Sequence, residues 1–316
     1  MRRIVAWLLF PATLAVVLGG AIIALGRGAG EGAVLGLGAL GSWLAVVVFE
    51  RVQPFRRAWN RSQGDVPADL AYLPTTLGVN AIVEPAVTAV AVVAGASLSG
   101  AIGAELWPGG WPLAAQLVLA CAIAELFDYW PHRWMHRHPL LWRFHVVHHS
   151  PERLYWLNAT RSHPVEMVFR GIFNFLPLAL LGASDEVLML FGLTTICVGL
   201  FQHANIDFAL GPLAWIFSVG EMHRWHHSED LAEASHNYGN NFLFWDVVFG
   251  TWYRPGDRRA PERLGVEGLE AFPTGWLRQL AEPFRPRAVS STGIPSITAT
   301  RAGVGTMRVS SKPDAA

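Results

Sequence analysis

The chain has 316 residues, of which 52% are hydrophobic and only 15% are charged, and it contains 14 tryptophans. Its mean hydropathy is +0.31 and its formal net charge is zero, so the composition departs from soluble proteins toward membrane proteins and carries no nucleic-acid footprint. The two cysteines, Cys121 and Cys197, lie in apolar segments outside any C-x-x-C motif, which excludes a disulfide framework and an iron–sulfur site.

Residues 1–70 are expected to form a transmembrane hairpin and a basic cytoplasmic loop. An apolar run at about 4–25 is long enough to cross the ~30 Å hydrocarbon core, and a second span follows at about 33–49. Because the first run lacks a convincing cleavage site, we interpret it as a spanning helix rather than a signal peptide. The loop at 50–69 carries four arginines, whereas the turn between the spans carries one, which places the loop in the cytoplasm.

A larger domain is expected from residue 71 to 255. Its apolar segments lie at about 73–98, 113–130, 165–181 and 187–202, and the last two are short enough to dip into the membrane and return on the same side. The predicted fold class is therefore all-α. We expect a polytopic membrane bundle of about four spanning helices and a re-entrant helical pair.

Histidines cluster where the 113–130 segment ends and again much later in the chain. Residues at i, i+3 and i+4 share one helix face, so each cluster is expected to present its imidazoles from one side. A lone histidine on an apolar helix is usually a core residue, but three clusters with repeated spacing favour a metal site. Imidazole suits iron, zinc, copper and nickel, and the number of candidates indicates two metals. These candidates are His132, His136, His145, His148, His149, His223, His226 and His227.

Four further residues are candidates to bind or support a metal. His203 and Asp207 are spaced i and i+4; we predict that His203 is a ninth ligand and treat Asp207 as a weaker candidate. Glu125 and Asp128 lie inside the end of an apolar segment, where a carboxylate is costly. We expect them to accept the free N–H of a ligating histidine, although they could instead pair with a nearby arginine.

The later motifs make a family resemblance specific. After H-R-W-H-H at residues 223–227 the chain reads N-Y-G and then W-D-V-V-F-G-T. With H-x-x-x-H and the first H-x-x-H-H, these motifs resemble the fatty acid hydroxylase/sterol desaturase superfamily of membrane di-iron proteins over roughly residues 125–251. The resemblance implies a cytosolic cap holding two irons, ligated by the eight clustered histidines and His203. His163 and Asn237 match motif positions expected to support or pack around the site.

The resemblance also implies an activity. It predicts an O2-dependent oxidoreductase that hydroxylates or desaturates an unactivated C–H bond of a lipid, such as a sterol-like, fatty-acyl or carotenoid substrate. We expect a separate ferredoxin- or cytochrome-type electron donor on the cytoplasmic face, which is that of the inner membrane in a bacterium. The arginines that could help such a donor dock are Arg133, Arg137, Arg143 and Arg153.

Two alternatives remain open from the sequence. One is a histidine-rich membrane metal carrier, although a carrier is expected to place ligands along the middle of its spans, and here they cluster at helix ends. The other is a non-oxygenase lipid enzyme that has kept the di-metal cap.

The C-terminal part is expected to be peripheral. An amphipathic segment is predicted within residues 256–286, lying along the membrane surface or covering the cap. Residues 287–316 are rich in Ser, Thr, Gly, Pro and Ala without periodicity, and we predict that they are disordered.

Overall fold

The structure, a computed structural model, describes residues 2–269 and 272–285. Within these ranges every regular element is helical, and the only β pairing consists of isolated bridges. The all-α prediction is therefore confirmed. The helices are α1 (Arg2–Gly26), α2 (Glu31–Val52), α3 (Val66–Ile102), α4 (Leu113–Met135), α5 (Pro139–His149), α6 (Pro164–Leu181), α7 (Asp185–His203), α8 (Gly220–His226), α9 (Leu231–Ala234), α10 (Phe244–Val248) and α11 (Trp276–Ala281).

Six of the described helices, α1 to α4, α6 and α7, are long and apolar enough to cross a membrane. Each coincides with one of the predicted apolar segments, and the chain is an integral membrane protein. Their lipid-facing sides carry exposed aliphatic side chains, as expected where the surrounding solvent is hydrocarbon. The last two, α6 and α7, span 18 and 19 residues, close to the shortest length that can cross.

Helix α3 is longer than the sequence predicts. It runs for 37 residues from Val66 to Ile102, so its first turn occupies the end of the segment that we expected to be a cytoplasmic loop. Pro67 favours helix initiation at this position, because its missing N–H would have no partner in the first turn anyway. Pro74 and Pro85 lie inside the helix without ending it.

The packing brings the ends of several helices to one side of the bundle. Helix α6 packs between α3 and α4, and α7 packs against α1, α2 and α4. The C-terminal ends of α4 and α7 and the N-terminal end of α6 meet the short helices α5 and α8 at this side. Seven of the nine predicted histidine ligands lie on these helices, and His136 and His227 directly follow the last residues of α4 and α8.

The C-terminal part of the chain was expected to contain an amphipathic segment and a disordered tail. Of the stretch that we expected to be amphipathic, α11 provides six helical residues, and its Leu277 is exposed. The predicted disordered segment, residues 287–316, lies outside the described residues. The domain boundaries proposed from the sequence remain predictions.

The contact between α3 and α6 depends on a glycine. A Cβ placed on Gly95 would lie 2.3 Å from the Leu180 carbonyl oxygen, whereas one placed on Gly78, in the same helix, meets nothing within 4 Å. We expect Gly95→Ala to force the helices apart and to lower the free energy of unfolding by roughly 1–3 kcal/mol. The matched variant Gly78→Ala should be neutral or stabilising because alanine is the better helix former. Thermal unfolding in detergent measures both, and equal midpoints would contradict the close-packing argument.

Candidate metal centre

The nine predicted histidine ligands are all buried and form two groups. Within each group, one ring nitrogen of every residue lies within 4.8 Å of the others. Group one consists of His132, His136, His145, His149 and His226. Group two consists of His148, His203, His223 and His227. The structure thus brings every candidate histidine into one of two sites that could bind a metal ion.

The H-x-x-H-H boxes are divided between the groups, so the three rings of one box do not all belong to the same group. His145 and His149 of α5 belong to group one, while His148 belongs to group two. The box of α8 is divided in the same way, with His226 apart from its neighbours. Residues i and i+4 are about 40° apart around a helix, whereas i+3 and i+4 are about 100° apart. The fourth residue of each box therefore points to the other group.

The spacing of the ring nitrogens fits a central cation. His145 Nε2 lies 3.2, 3.1 and 3.0 Å from the Nε2 atoms of His132, His136 and His149, respectively. In group two, His223 Nε2 lies 3.2 Å from His203 Nε2 and 3.1 Å from His227 Nε2. Imidazole nitrogens bind a divalent metal such as zinc at about 2.0–2.1 Å, which leaves ligand nitrogens around one ion about 3 Å apart.

The hydrogen bonds made by Nδ1 show which nitrogen of each ring carries the proton. In five of the histidines Nδ1 faces an oxygen that can only accept a hydrogen bond, so Nδ1 carries the N–H and Nε2 carries a free lone pair. Several lone pairs then converge at about 3 Å with no proton between them, an arrangement that a cation would stabilise. The five contacts are His132 to Tyr238 O (2.5 Å), His145 to Glu166 Oε1 (2.8 Å), His148 to Arg161 O (3.0 Å), His203 to Asn158 Oδ1 (2.9 Å) and His226 to His236 O (2.9 Å).

Burial keeps these imidazoles neutral. It lowers the pKa of His148 to about 4 and holds the pKa values of His149 and His226 well below the ordinary histidine value, since charging a ring in this environment would cost its hydration. Neighbouring histidines lower the pKa values of His149 and His226 further. A neutral imidazole is the form that binds a metal, so these ligands need not release a proton on binding.

The carboxylate that supports a histidine is Glu166, which the sequence reasoning passed over. Its Oε1 accepts the His145 N–H, and its side chain is buried at the start of α6. The expected candidates are engaged elsewhere. Glu125 accepts the backbone N–H groups of Asn240 and Asn241 at 2.9 and 2.6 Å, and Asp128 forms an ion pair with Arg170. Glu166 lies three residues after His163 in the sequence H-P-V-E, and its closeness to this motif position was the available signal.

Three other supporting candidates contact no histidine of either group. His163 accepts the Val165 N–H as the cap of α6 and donates to the Leu280 carbonyl. Asp207 forms an ion pair with Arg259 and is partly exposed. Asn237 adopts a left-handed conformation, with φ of 55°, and joins the Met222 carbonyl in α8 to the Tyr253 backbone. Its role in the structure is to fasten α8.

Asp246, in the W-D-V-V-F-G-T motif, has a definite structural role. Its carboxylate accepts the N–H groups of Tyr238 and Gly239, both at 2.8 Å, and the Thr251 hydroxyl at 2.7 Å. Burial raises the pKa of Asp246 to about 6, and these donors counter part of that rise. Because the Tyr238 carbonyl accepts the His132 N–H, Asp246 positions a support of group one.

One of the arginines proposed for partner docking is unsuitable. Arg153 is 2% exposed and forms an ion pair with Asp65, so its guanidinium cannot meet a partner. Arg137, which lies just beyond the end of α4 and beside His136, is exposed.

Comparisons with known proteins identify the relatives of the chain. The family model described as fatty acid hydroxylase matches residues 117–251. An ornithine lipid hydroxylase of Rhizobium tropici is 40% identical over 243 residues, which cover 76% of this chain and 72% of the relative. Methylsterol monooxygenase 1 of Rattus norvegicus and an alkylglycerol monooxygenase of Danio rerio are each 30% identical, over 45% and 47% of this chain. These matches span only 48% and 33% of those two relatives. No solved structure matches the chain significantly.

Each group should lose its own metal when one of its histidines is removed. We expect His136→Ala, in group one, and His203→Ala, in group two, each to lower the bound metal from two ions per chain toward one. The matched control is His138→Ala, because His138 is exposed beside group one and belongs to neither group. Elemental analysis of the purified protein measures the result. Full metal content in either of the first two variants would remove that histidine from the ligand set.

Glu166 should matter as a hydrogen-bond acceptor. Glu166→Leu leaves the buried His145 N–H without its acceptor, and loss of such an outer partner typically costs about 10- to 100-fold in metal affinity. Glu166→Gln retains a carbonyl oxygen at the same position and should have the smaller effect. Titration with a chelator measures the affinity, and an unchanged Glu166→Leu titration would show that this contact does not orient the ligand.

Proposed function

The chain belongs to the fatty acid hydroxylase family, and from that premise we propose that it is a di-iron membrane enzyme that uses O2 to hydroxylate a polar membrane lipid. The observation that carries the proposal is the pair of buried histidine groups at one end of an apolar helical bundle. This position is within reach of lipids, and the ligands are neutral imidazoles throughout. The positive-inside rule supports placing this end of the bundle on the cytoplasmic side.

Groups one and two would each hold one iron. Bound iron would pass electrons from a donor to O2 and supply Lewis acidity, which together activate O2 for attack on an unactivated C–H bond. Among the described residues neither group includes a carboxylate or a cysteine, which distinguishes this ligand set from the Glu-x-x-His pattern of ferritin-like di-iron proteins.

The residues around the groups orient the ligands and restrict water. Backbone carbonyls of Tyr238 and His236 and the Glu166 carboxylate hold three rings of group one by their N–H groups. The half-buried Trp142 ring lies 5.3 Å from the His136 ring and 5.5 Å from the His149 ring, between centroids. An aromatic cover of this kind keeps bulk water from the site, which strengthens electrostatic interactions inside it.

The relative from Rhizobium tropici is named for ornithine lipid, which supports a substrate with a polar headgroup. The overall reaction consumes a C–H bond, O2, two electrons and two protons, and yields C–OH and water. We propose that a separate ferredoxin- or cytochrome-type protein supplies the electrons. The exposed Arg137, beside the half-exposed Arg133, supports a docking position for such a donor near group one.

The test is to express the chain in a bacterial host that makes ornithine lipid and to analyse the extracted lipids by mass spectrometry. We expect a lipid that gains one oxygen atom, and labelled O2 should provide that atom. His226→Ala should reduce the product to background, while His138→Ala should not. A product that instead loses two hydrogen atoms would assign desaturation, and an iron-loaded protein that leaves every lipid of the host unchanged would overturn the proposed reaction.

A further inference from the structure

The two groups draw their hydrogen-bond acceptors from different parts of the chain. In group two, the His148 N–H meets the Arg161 carbonyl and the His203 N–H meets the Asn158 side-chain oxygen. Both acceptors belong to residues 150–161, which we call the support loop. In group one, the acceptors belong instead to α6 and to residues 236–238. The orientation of two of the four rings of group two therefore depends on the contacts that fix the support loop.

A buried carboxylate of α3 anchors the support loop. Asp69 Oδ1 accepts a hydrogen bond from Arg161 Nε at 2.5 Å, and Asp69 Oδ2 accepts one from the Tyr155 hydroxyl at 2.6 Å. Asp69 is fully buried, and Arg161 is 4% exposed. The same arginine thus offers its side chain to Asp69 and its backbone carbonyl to His148.

Two more carboxylates from the same part of the chain hold the loop. Asp65 accepts Arg153 Nε at 2.6 Å and Arg153 NH2 at 2.8 Å, and the Arg153 carbonyl in turn accepts the Asn158 side-chain amide at 2.7 Å. Glu50, at the end of α2, accepts the Trp156 N–H at 2.7 Å. Residues 50–69 therefore hold the support loop through hydrogen bonds from three carboxylates.

These anchors lie outside the family match, which begins at residue 117. An irregular loop does not fix its own carbonyls, because its backbone lacks a regular hydrogen-bond ladder. A buried carboxylate is stable only when paired and hydrogen-bonded, so Asp69 and Arg161 hold each other in one geometry. Because Asp69 belongs to α3, the position of this helix determines where the acceptors of group two lie.

We propose that residues 50–69 are a structural part of the second metal site and that Asp69 is a positioning residue for it. Through Arg161 and Tyr155, Asp69 sets the support loop so that Arg161 and Asn158 accept the N–H groups of His148 and His203. The inference rests on the proposed function in so far as group two holds an iron.

Group one offers a matched control. Asp246 is also a buried carboxylate that acts one step from a histidine, since it holds the Tyr238 backbone whose carbonyl accepts the His132 N–H. Asp69→Asn and Asp246→Asn make the same chemical change at carboxylates linked to different groups. The proposal predicts that Asp69→Asn loses the metal ion of group two and that Asp246→Asn loses the metal ion of group one.

The experiment measures iron per chain while the full-length protein in detergent is titrated with a chelator. In Asp69→Asn one iron should be released at about 10- to 100-fold lower chelator concentration than in the unaltered protein, and the other should be retained. The spectrum of the remaining iron should match that of His203→Ala. In Asp246→Asn it should match that of His136→Ala.

Because Asp69→Asn leaves the buried Arg161 without its counter-charge, Tyr155→Phe is included as a milder change that keeps the ion pair. It should weaken the same iron to a smaller extent. Retention of both irons in Asp69→Asn, or parallel loss of both irons in Asp69→Asn and Tyr155→Phe, would overturn the inference. An unaltered protein that never holds a second iron would instead refute the proposed function, so the two failures are distinguishable.

Discussion

The structure depends on the need to hold nine neutral imidazoles so closely that their lone pairs converge. Each ring has a second nitrogen, and in five of them its N–H is given to an oxygen acceptor from another part of the chain. Those acceptors include backbone carbonyls, an amide and a single carboxylate, Glu166. The elements around the centre are best understood as the means of holding these acceptors in place.

The membrane bundle supplies the frame for this arrangement. Helices α4 and α7 bring histidines to the bundle end through their last turns, and α6 brings Glu166 through its first. The ion pair between the buried Asp128, one helical turn before His132, and the partly buried Arg170 joins α4 to α6. Asp128, which the sequence suggested as a direct partner of a histidine, thus stabilises the packing of the helices instead.

The sequence predicted the parts of the site that are encoded locally. Apolar length predicted the six long helices, repeated spacing predicted eight of the histidines, and the family resemblance together with the spacing to Asp207 added His203; these signals reside in residues close along the chain. The partners could not be predicted in this way. Glu166 meets His145 across two helices, and Asp69 meets Arg161 across 92 positions, so only the packed fold brings them together. The division of each box between the two groups could not be predicted, because the spacing indicates only that the three histidines share a helix face. It does not indicate that neighbouring rings on that face belong to different groups.

Because each box is divided between the groups, the centre depends on the number of residues between its histidines as well as on their identity. One extra residue between His145 and His148 would rotate the rest of α5 by about 100°, which would turn His148 away from group two and His149 away from group one at once. The same holds for the box in α8. Insertions and deletions within either box would therefore disable both groups together, whereas a change in the length of the support loop would be expected to disturb group two alone.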